Sequence, residues 1–159
     1  MSLAAPKPAP IDGAPFRLAV VAACFNAELV DALLARVDAG LRDAGVKAGR
    51  IEVYRVPGSH EVPWAIARLA SRGRYDCLIA LGVLIGGDTN HHEMVGQSVS
   101  QALQQVAVER GVPVINGVIV TDTLAQARAR CLGRINRGAE FAHAALAMAA
   151  LNRRLGGKS

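Results

Sequence analysis

The chain has 159 residues, 52% of them hydrophobic, which is enough to form one domain with a buried core. No apolar run approaches the ~20 residues that cross a bilayer, the amino terminus lacks the apolar core of a secretion signal, and three widely spaced cysteines suggest neither disulfides nor a zinc site. Without a membrane span or a secretion signal, we expect a cytoplasmic protein that binds no membrane. The net charge of +5 is scattered along the chain, so we expect small anionic ligands rather than nucleic acid.

Apolar, β-branched runs alternate with segments of helical spacing along most of the chain. Residues 1–15 hold four of the seven prolines and predict a flexible arm, so we expect a single domain over residues 16–159. The predicted strands, in chain order, are residues 18–23, 51–56, 77–85 and 114–120. The predicted helices are residues 27–44, 61–71, about 89–110, 121–130 and 137–154.

Uninterrupted apolar strands that alternate with helices indicate a parallel sheet covered on both faces, with right-handed crossovers. The predicted fold class is therefore α/β: a three-layer αβα sandwich with a flavodoxin-like, doubly wound, four-stranded parallel sheet. In such folds ligands bind beyond the carboxyl ends of the strands, so the segments that follow each strand are the candidate site.

The segment GVLIGGDTNHHEMV, residues 82–95, is the most informative of these strand ends. An apolar strand breaks at paired glycines, and a helix with two histidines follows. Backbone N–H groups at a helix start are unpaired and carry the positive end of the helix dipole, so an anion can bind there. A histidine beside that anion can transfer protons near neutral pH, which suits chemistry on a phosphorylated substrate.

Four motifs, in order, carry a resemblance to a known family: VPGSHEVP at residues 56–63, GVLIGGDTNHHEMV at 82–95, PVINGVIVTDTLAQA at 113–127 and NRGAEFAHAALAM at 136–148. Together they resemble the 6,7-dimethyl-8-ribityllumazine synthase family, over about residues 18–151. The resemblance implies a transferase of riboflavin biosynthesis. Such enzymes condense 5-amino-6-(D-ribitylamino)uracil with 3,4-dihydroxy-2-butanone 4-phosphate and release phosphate and water, without a metal or redox cofactor.

The resemblance also implies a role for each matching position. His91 is the expected proton-transfer residue. The expected substrate-binding residues are Phe25 against the pyrimidine ring; Ser59, His60 and Glu61 along the pyrimidine and ribityl chain; Val83, Leu84 and Ile85 through backbone groups; and Asp88, Thr89 and Arg130 around the phosphate. Family members place the residues at Asn116 and Arg130 on a neighbouring subunit of a homo-oligomer, typically a ring of five. Arg137 occupies a position where the family has a lysine close to the substrate.

Three positions depart from the common family pattern: His60 and Asn116 replace phenylalanine, and Gly86 replaces arginine. These changes affect ring stacking and affinity rather than catalytic identity. A carboxylate at position 88 would repel the phosphate unless it caps the following helix, and we expect Asp88 to take that capping role.

Other interpretations remain open at this stage. The altered pocket residues are compatible with a non-catalytic flavin or lumazine storage protein, and the alanine-rich last helix with a shell component. The run His91, His92, Glu93 could suggest a metal, but neighbouring helical side chains point about 100° apart, so we expect no metal site. By default His92 and His143 are surface or satisfied polar residues.

Overall fold

A computed structural model describes residues 9–156 and contains one four-stranded parallel sheet. The strands are β1 (Leu18–Ala23), β2 (Ile51–Val56), β3 (Cys77–Ile85) and β4 (Val114–Thr121), in the spatial order β2-β1-β3-β4. The central strand β1 is buried at every position, as its uninterrupted apolar sequence predicts. The predicted sheet is therefore confirmed, with β4 one residue longer than expected.

Five helices cover the two faces of the sheet: α1 (Ala27–Asp43), α2 (Val62–Ala70), α3 (His91–Arg110), α4 (Leu124–Cys131) and α5 (Arg137–Arg154). Buried residues of α1, α4 and α5 pack with one face of the sheet, and those of α2 and α3 pack with the other. The two hydrophobic clusters lie on opposite sides of the strands because alternate strand residues point to opposite faces. The three-layer αβα class is confirmed.

Small residues allow α1 and α5 to approach closely. A β-carbon added at Gly40 of α1 would lie 2.7 Å from the Cβ of Ala142 on α5, well inside van der Waals contact. The buried residues of α5 include Ala142, Ala145 and Ala149. One apolar side of the alanine-rich helix is thus buried within this chain.

The structure corrects two helix starts. The first backbone hydrogen bonds of α3 run from Glu93 and Met94 to the carbonyl of Asn90, at 3.1 and 3.2 Å, so Asn90 is the N-cap residue. Asp88 therefore lies in the preceding turn, and the prediction that it caps the helix is wrong. Likewise α4 is capped by Thr123, whose hydroxyl accepts from the backbone N–H of Gln126 at 3.2 Å.

The predicted arm is only partly within the described residues, because residues 1–8 lie outside them. From Gly13 onward the chain contacts the domain: the Gly13 N–H donates to the Ala44 carbonyl at 2.7 Å, and Phe16 is buried. The arm and the domain boundary stay predictions. Across residues 9–156, no helix combines the length and apolar character that crossing a membrane requires.

Candidate functional site

A cavity of about 480 Å³ opens beyond the carboxyl ends of β1, β2 and β3. This is the edge where a doubly wound sheet places its ligands. The residues that line the cavity come from four stretches of chain: Phe25 and Asn26; residues 58–61; Val83, Leu84 and Ile85; and Gly87, Thr89, His91, His92 and Val95. Nine of the predicted site residues are thus brought together: Phe25, Ser59, His60, Glu61, Val83, Leu84, Ile85, Thr89 and His91.

An exposed aromatic ring stands at one side of the cavity. Phe25 follows β1 and is 73% exposed, although a phenylalanine normally gains from burial. Its backbone N–H donates to the Pro57 carbonyl at 3.1 Å, which fixes the turn against the end of β2. The arrangement leaves a ring face available for stacking on a flat ligand.

The segment after β2 contributes hydroxyl and carboxylate groups. Ser59 is buried and packs against Gly82, where any β-carbon would collide with its hydroxyl. One oxygen of Glu61, Oε2, accepts from the backbone N–H of Gly58 at 2.8 Å. The other, Oε1, lies 3.9 Å from Nδ1 of His60, beyond hydrogen-bonding distance. Glu61 can therefore hold its own loop and still offer an acceptor to a ligand.

The amino end of α3 forms the opposite wall. Thr89 and His91 line the cavity there, and no side chain caps the helix at Asn90. The α3 helix is 20 residues long, so its first N–H groups present a positive dipole end. An imidazole, a hydroxyl and this helix start together can bind an anion and move a proton next to it.

His92 lines the same cavity, and sequence reasoning assigned it no role. Its side chain is 12% exposed, and neither ring nitrogen has a hydrogen-bond partner among the described residues. Its Nε2 atom lies 3.7 Å from Oδ1 of Asp122, and Glu93 adds a carboxylate, with all three ligand atoms within 4.8 Å. Asp122 enters this cluster from the loop after β4, a convergence that helical spacing alone could not reveal. The two carboxylates are exposed surface groups, so this geometry by itself assigns no ion.

Four predicted site residues do not line the cavity of their own chain: Asp88, Asn116, Arg130 and Arg137. Asn116 is exposed on the edge strand β4, where its Oδ1 accepts from the Val118 N–H at 3.1 Å. Arg130 donates to the Gln126 carbonyl of its own helix at 3.0 Å, and Arg137 pairs with Glu140. Among the described residues the cavity lining therefore contains no arginine or lysine.

Sequence reasoning missed five lining residues: Asn26, Gly58, Gly87, His92 and Val95. For Asn26 a signal existed, because asparagine tolerates a left-handed backbone and here it directly precedes a helix. Gly58, Gly87 and Val95 have no side chain whose chemistry marks a site in the sequence. Whether His92 reaches the cavity depends on the angle at which α3 meets the sheet.

The model of the 6,7-dimethyl-8-ribityllumazine synthase family matches residues 15–153. A 6,7-dimethyl-8-ribityllumazine synthase of Pyrococcus furiosus is 41% identical over 144 residues, which cover 91% of this chain and 90% of the relative. The enzymes of that name from Coxiella burnetii strain RSA 493 and Halorhodospira halophila are each 43% identical, over 84% and 87% of this chain and 89% and 90% of their own lengths. The chain therefore belongs to the 6,7-dimethyl-8-ribityllumazine synthase family.

Proposed function

We propose that the cavity beyond β1, β2 and β3 condenses 5-amino-6-(D-ribitylamino)uracil with 3,4-dihydroxy-2-butanone 4-phosphate to give 6,7-dimethyl-8-ribityllumazine, phosphate and water. The observation that carries this proposal is the convergence of Phe25, residues 59–61, residues 83–85, Thr89 and His91 on one cavity, in a chain of this family. The same reaction is what the names of the relatives describe.

The pyrimidine substrate fits the side of the cavity formed by β1, β2 and β3. Its flat ring stacks on Phe25, which adds roughly 1 kcal/mol beyond burial. Backbone groups of residues 83–85 face the ring edge, and Oε1 of Glu61 accepts from ribityl hydroxyls. A charged acceptor makes these hydrogen bonds stronger than neutral ones. Two observations support this placement: the ring of Phe25 is exposed, and only Oε2 of Glu61 is bonded to the loop.

The phosphorylated ketone fits the side formed by α3. Its phosphate accepts from the helix N–H groups and from Thr89, because the positive dipole end attracts an anion. Asp88 lies in the turn before the helix and contributes through its backbone. Within residues 9–156 no arginine or lysine of the same chain lines this cavity, so a cation from another subunit would complete the phosphate site. Arg130 of a neighbouring subunit suits that need, since its planar fork of donors matches a phosphate.

His91 is the proton-transfer residue in this proposal. The uracil amine attacks the ketone and loses water to give an imine. A neighbouring proton then leaves so that phosphate can be expelled. The second amine attacks the remaining carbonyl, and ring closure releases a second water. A neutral imidazole can accept and return these protons near pH 7, which contributes about 10² to 10⁴ in rate. Orientation of the two substrates supplies the rest of the acceleration.

The complete site lies between subunits of a homo-oligomer, built from rings of five in a cytoplasmic enzyme. Asn116 and Arg130 lie outside the cavity of their own chain, which supports a contribution from the neighbouring copy. No metal or organic cofactor takes part in the proposed reaction.

The proposal is tested by mixing the purified protein with both substrates and following lumazine absorbance together with phosphate release. Equal amounts of lumazine and phosphate are expected. A protein that forms neither product, yet is folded, would contradict the proposed function.

A further inference from the structure

We infer that Asn26 is a positioning residue for the pyrimidine substrate, because it joins the turn that carries Phe25 to the strand end that carries Val83. This inference rests on the proposed function. It adds a residue whose side chain acts through its neighbours rather than through the reacting atoms.

The backbone of Asn26 is unusual. It has φ 56° and ψ 46°, and it is the one non-glycine residue with a positive φ among the described residues. A left-handed conformation is costly for most side chains and least so for asparagine. The turn lets the chain leave β1 and enter α1 at once, since the Asn26 carbonyl accepts from the N–H groups of Leu29 and Val30 at 3.0 and 3.1 Å.

The side chain of Asn26 extends the sheet where β1 stops. Pairing of β1 with β3 ends at Ala22 and Leu81, so β1 offers no backbone partner to the carbonyl of Val83. Val83 is 1% exposed, and a buried carbonyl needs a hydrogen bond. The Nδ2 group of Asn26 donates to this carbonyl at 2.8 Å. It thereby holds the segment whose next two residues line the cavity.

The same residue places the aromatic ring. Phe25 directly precedes Asn26, and its ring lies against Gly58, with Cδ2 3.4 Å from the position of a β-carbon there. Most of the ring is exposed. A change at residue 26 should therefore move the ring and the strand end relative to each other, and weaken pyrimidine binding more than proton transfer.

Two substitutions separate the amide from the backbone. Asn26→Gly keeps the left-handed turn and removes the hydrogen bond, whereas Asn26→Ala removes the bond and also strains the turn. Asn152→Ala is the matched control. Its side-chain amide donates to the Asp76 carbonyl at 3.1 Å, a comparable bond before β3, at the opposite end of the sheet from the cavity.

For Asn26→Gly we expect a rise of about tenfold in KM for the pyrimidine substrate, with kcat changed much less. Asn152→Ala should leave KM unchanged, even if it lowers Tm as much as Asn26→Gly does. Without ligand, amide hydrogen exchange in residues 25–30 and 83–86 should be faster in Asn26→Gly than in wild type, because the bond that joins these segments is lost. In Asn152→Ala, exchange in these segments should not change. An unchanged KM in Asn26→Gly, or unchanged exchange in both segments, would overturn the inference.

Failure of the proposed function gives a different result. A wild-type protein that forms no lumazine refutes that function, and the exchange measurement then decides whether Asn26 holds the two segments together. If exchange quickens only in the Asn26 variants, the positioning role stands for whatever ligand the cavity takes. If it does not, the role is refuted as well.

Discussion

The two ends of the sheet use polar side chains in opposite ways. At the amino edge, formed by Arg17, Glu52, Tyr75, Asp76 and Arg153, the charges neutralise one another. Asp76 is 1% exposed and accepts from the Arg17 N–H at 2.8 Å and from Nε of Arg153 at 2.7 Å. Glu52 accepts from the hydroxyl of Tyr75 at 2.7 Å. These bonds stabilise the fold, and Nε of Arg17, which has no hydrogen-bond partner in the described part of the chain, lies 3.5 Å from Oε1 of Glu52.

At the carboxyl edge, formed by residues 25–26, 58–61, 83–85 and 87–92, polar groups remain available. His91 and Thr89 face a cavity, Glu61 keeps one oxygen free of its loop, and the helix start is uncapped. Thr89, His91 and Glu61 are exposed, so water can satisfy their polar groups until a ligand takes its place. The difference between the edges therefore separates polar residues that hold the fold from those that remain available to a ligand.

Removing the imidazole of His91 should produce the largest effect at the carboxyl edge. His91→Ala is expected to lower kcat by about 10² or more while leaving measurable turnover, because substrate orientation is retained. Initial rates with both substrates measure the effect, with His143→Ala as the histidine control outside the cavity. Full turnover in His91→Ala would show that another group transfers the proton.

Mixing two variants of low activity tests whether the carboxyl edge is completed by another subunit. His91→Ala and Arg130→Ala each damage a different half of the proposed site, so a site formed between two chains can contain both intact halves. After co-assembly of equal amounts, up to about a quarter of the sites should be intact and turnover should rise accordingly. Turnover that stays at the level of the separate variants would place both residues in one chain's site.

At the amino edge the expected effect is on stability. Arg153→Met leaves the buried carboxylate of Asp76 without its ion-pair partner. The loss should be about 2 kcal/mol in the free energy of unfolding, below the ~3–5 kcal/mol for fully buried pairs because Arg153 is 33% exposed. Urea unfolding measures it, with the exposed Arg154→Met as control, and KM should not change. A large KM change would mean that the two edges are not separate.

The smallest expected effect concerns pH. Hydrogen bonding from Tyr54, together with Tyr75 and nearby arginines, lowers the pKa of Glu52 below its usual 4.5. The Glu52 carboxylate therefore stabilises the folded state fully above pH 4.5. This stabilisation is lost as the pH falls through the lower pKa that Glu52 has in the folded state. Glu52→Gln should be less stable than wild type at pH 7, and the difference should shrink at acid pH. Unfolding curves of both proteins at several pH values measure this difference in the free energy of unfolding. A difference that stays constant with pH would show that the carboxylate charge is irrelevant.

The sequence predicted the strands well because apolar, β-branched runs between helical segments are a local pattern. It predicted the start of α3 less well. Asp88 looks like a cap beside a glycine turn, but the helix begins only where the Asn90 carbonyl accepts its first bonds. Nine of the cavity residues could be named from motifs. The bond between Asn26 and Val83 and the approach of His92 to Asp122 could not, because each joins segments that only the folded sheet brings together.

A crystal structure of the protein with 5-amino-6-(D-ribitylamino)uracil and inorganic phosphate would show whether both ligands bind in this cavity. We expect the ring against Phe25, the ribityl chain along Ser59 and Glu61, and the phosphate at Thr89 and the start of α3, with Arg130 of the partner subunit beside it. An empty cavity in crystals where the ligands bind elsewhere on the protein would contradict the proposed function.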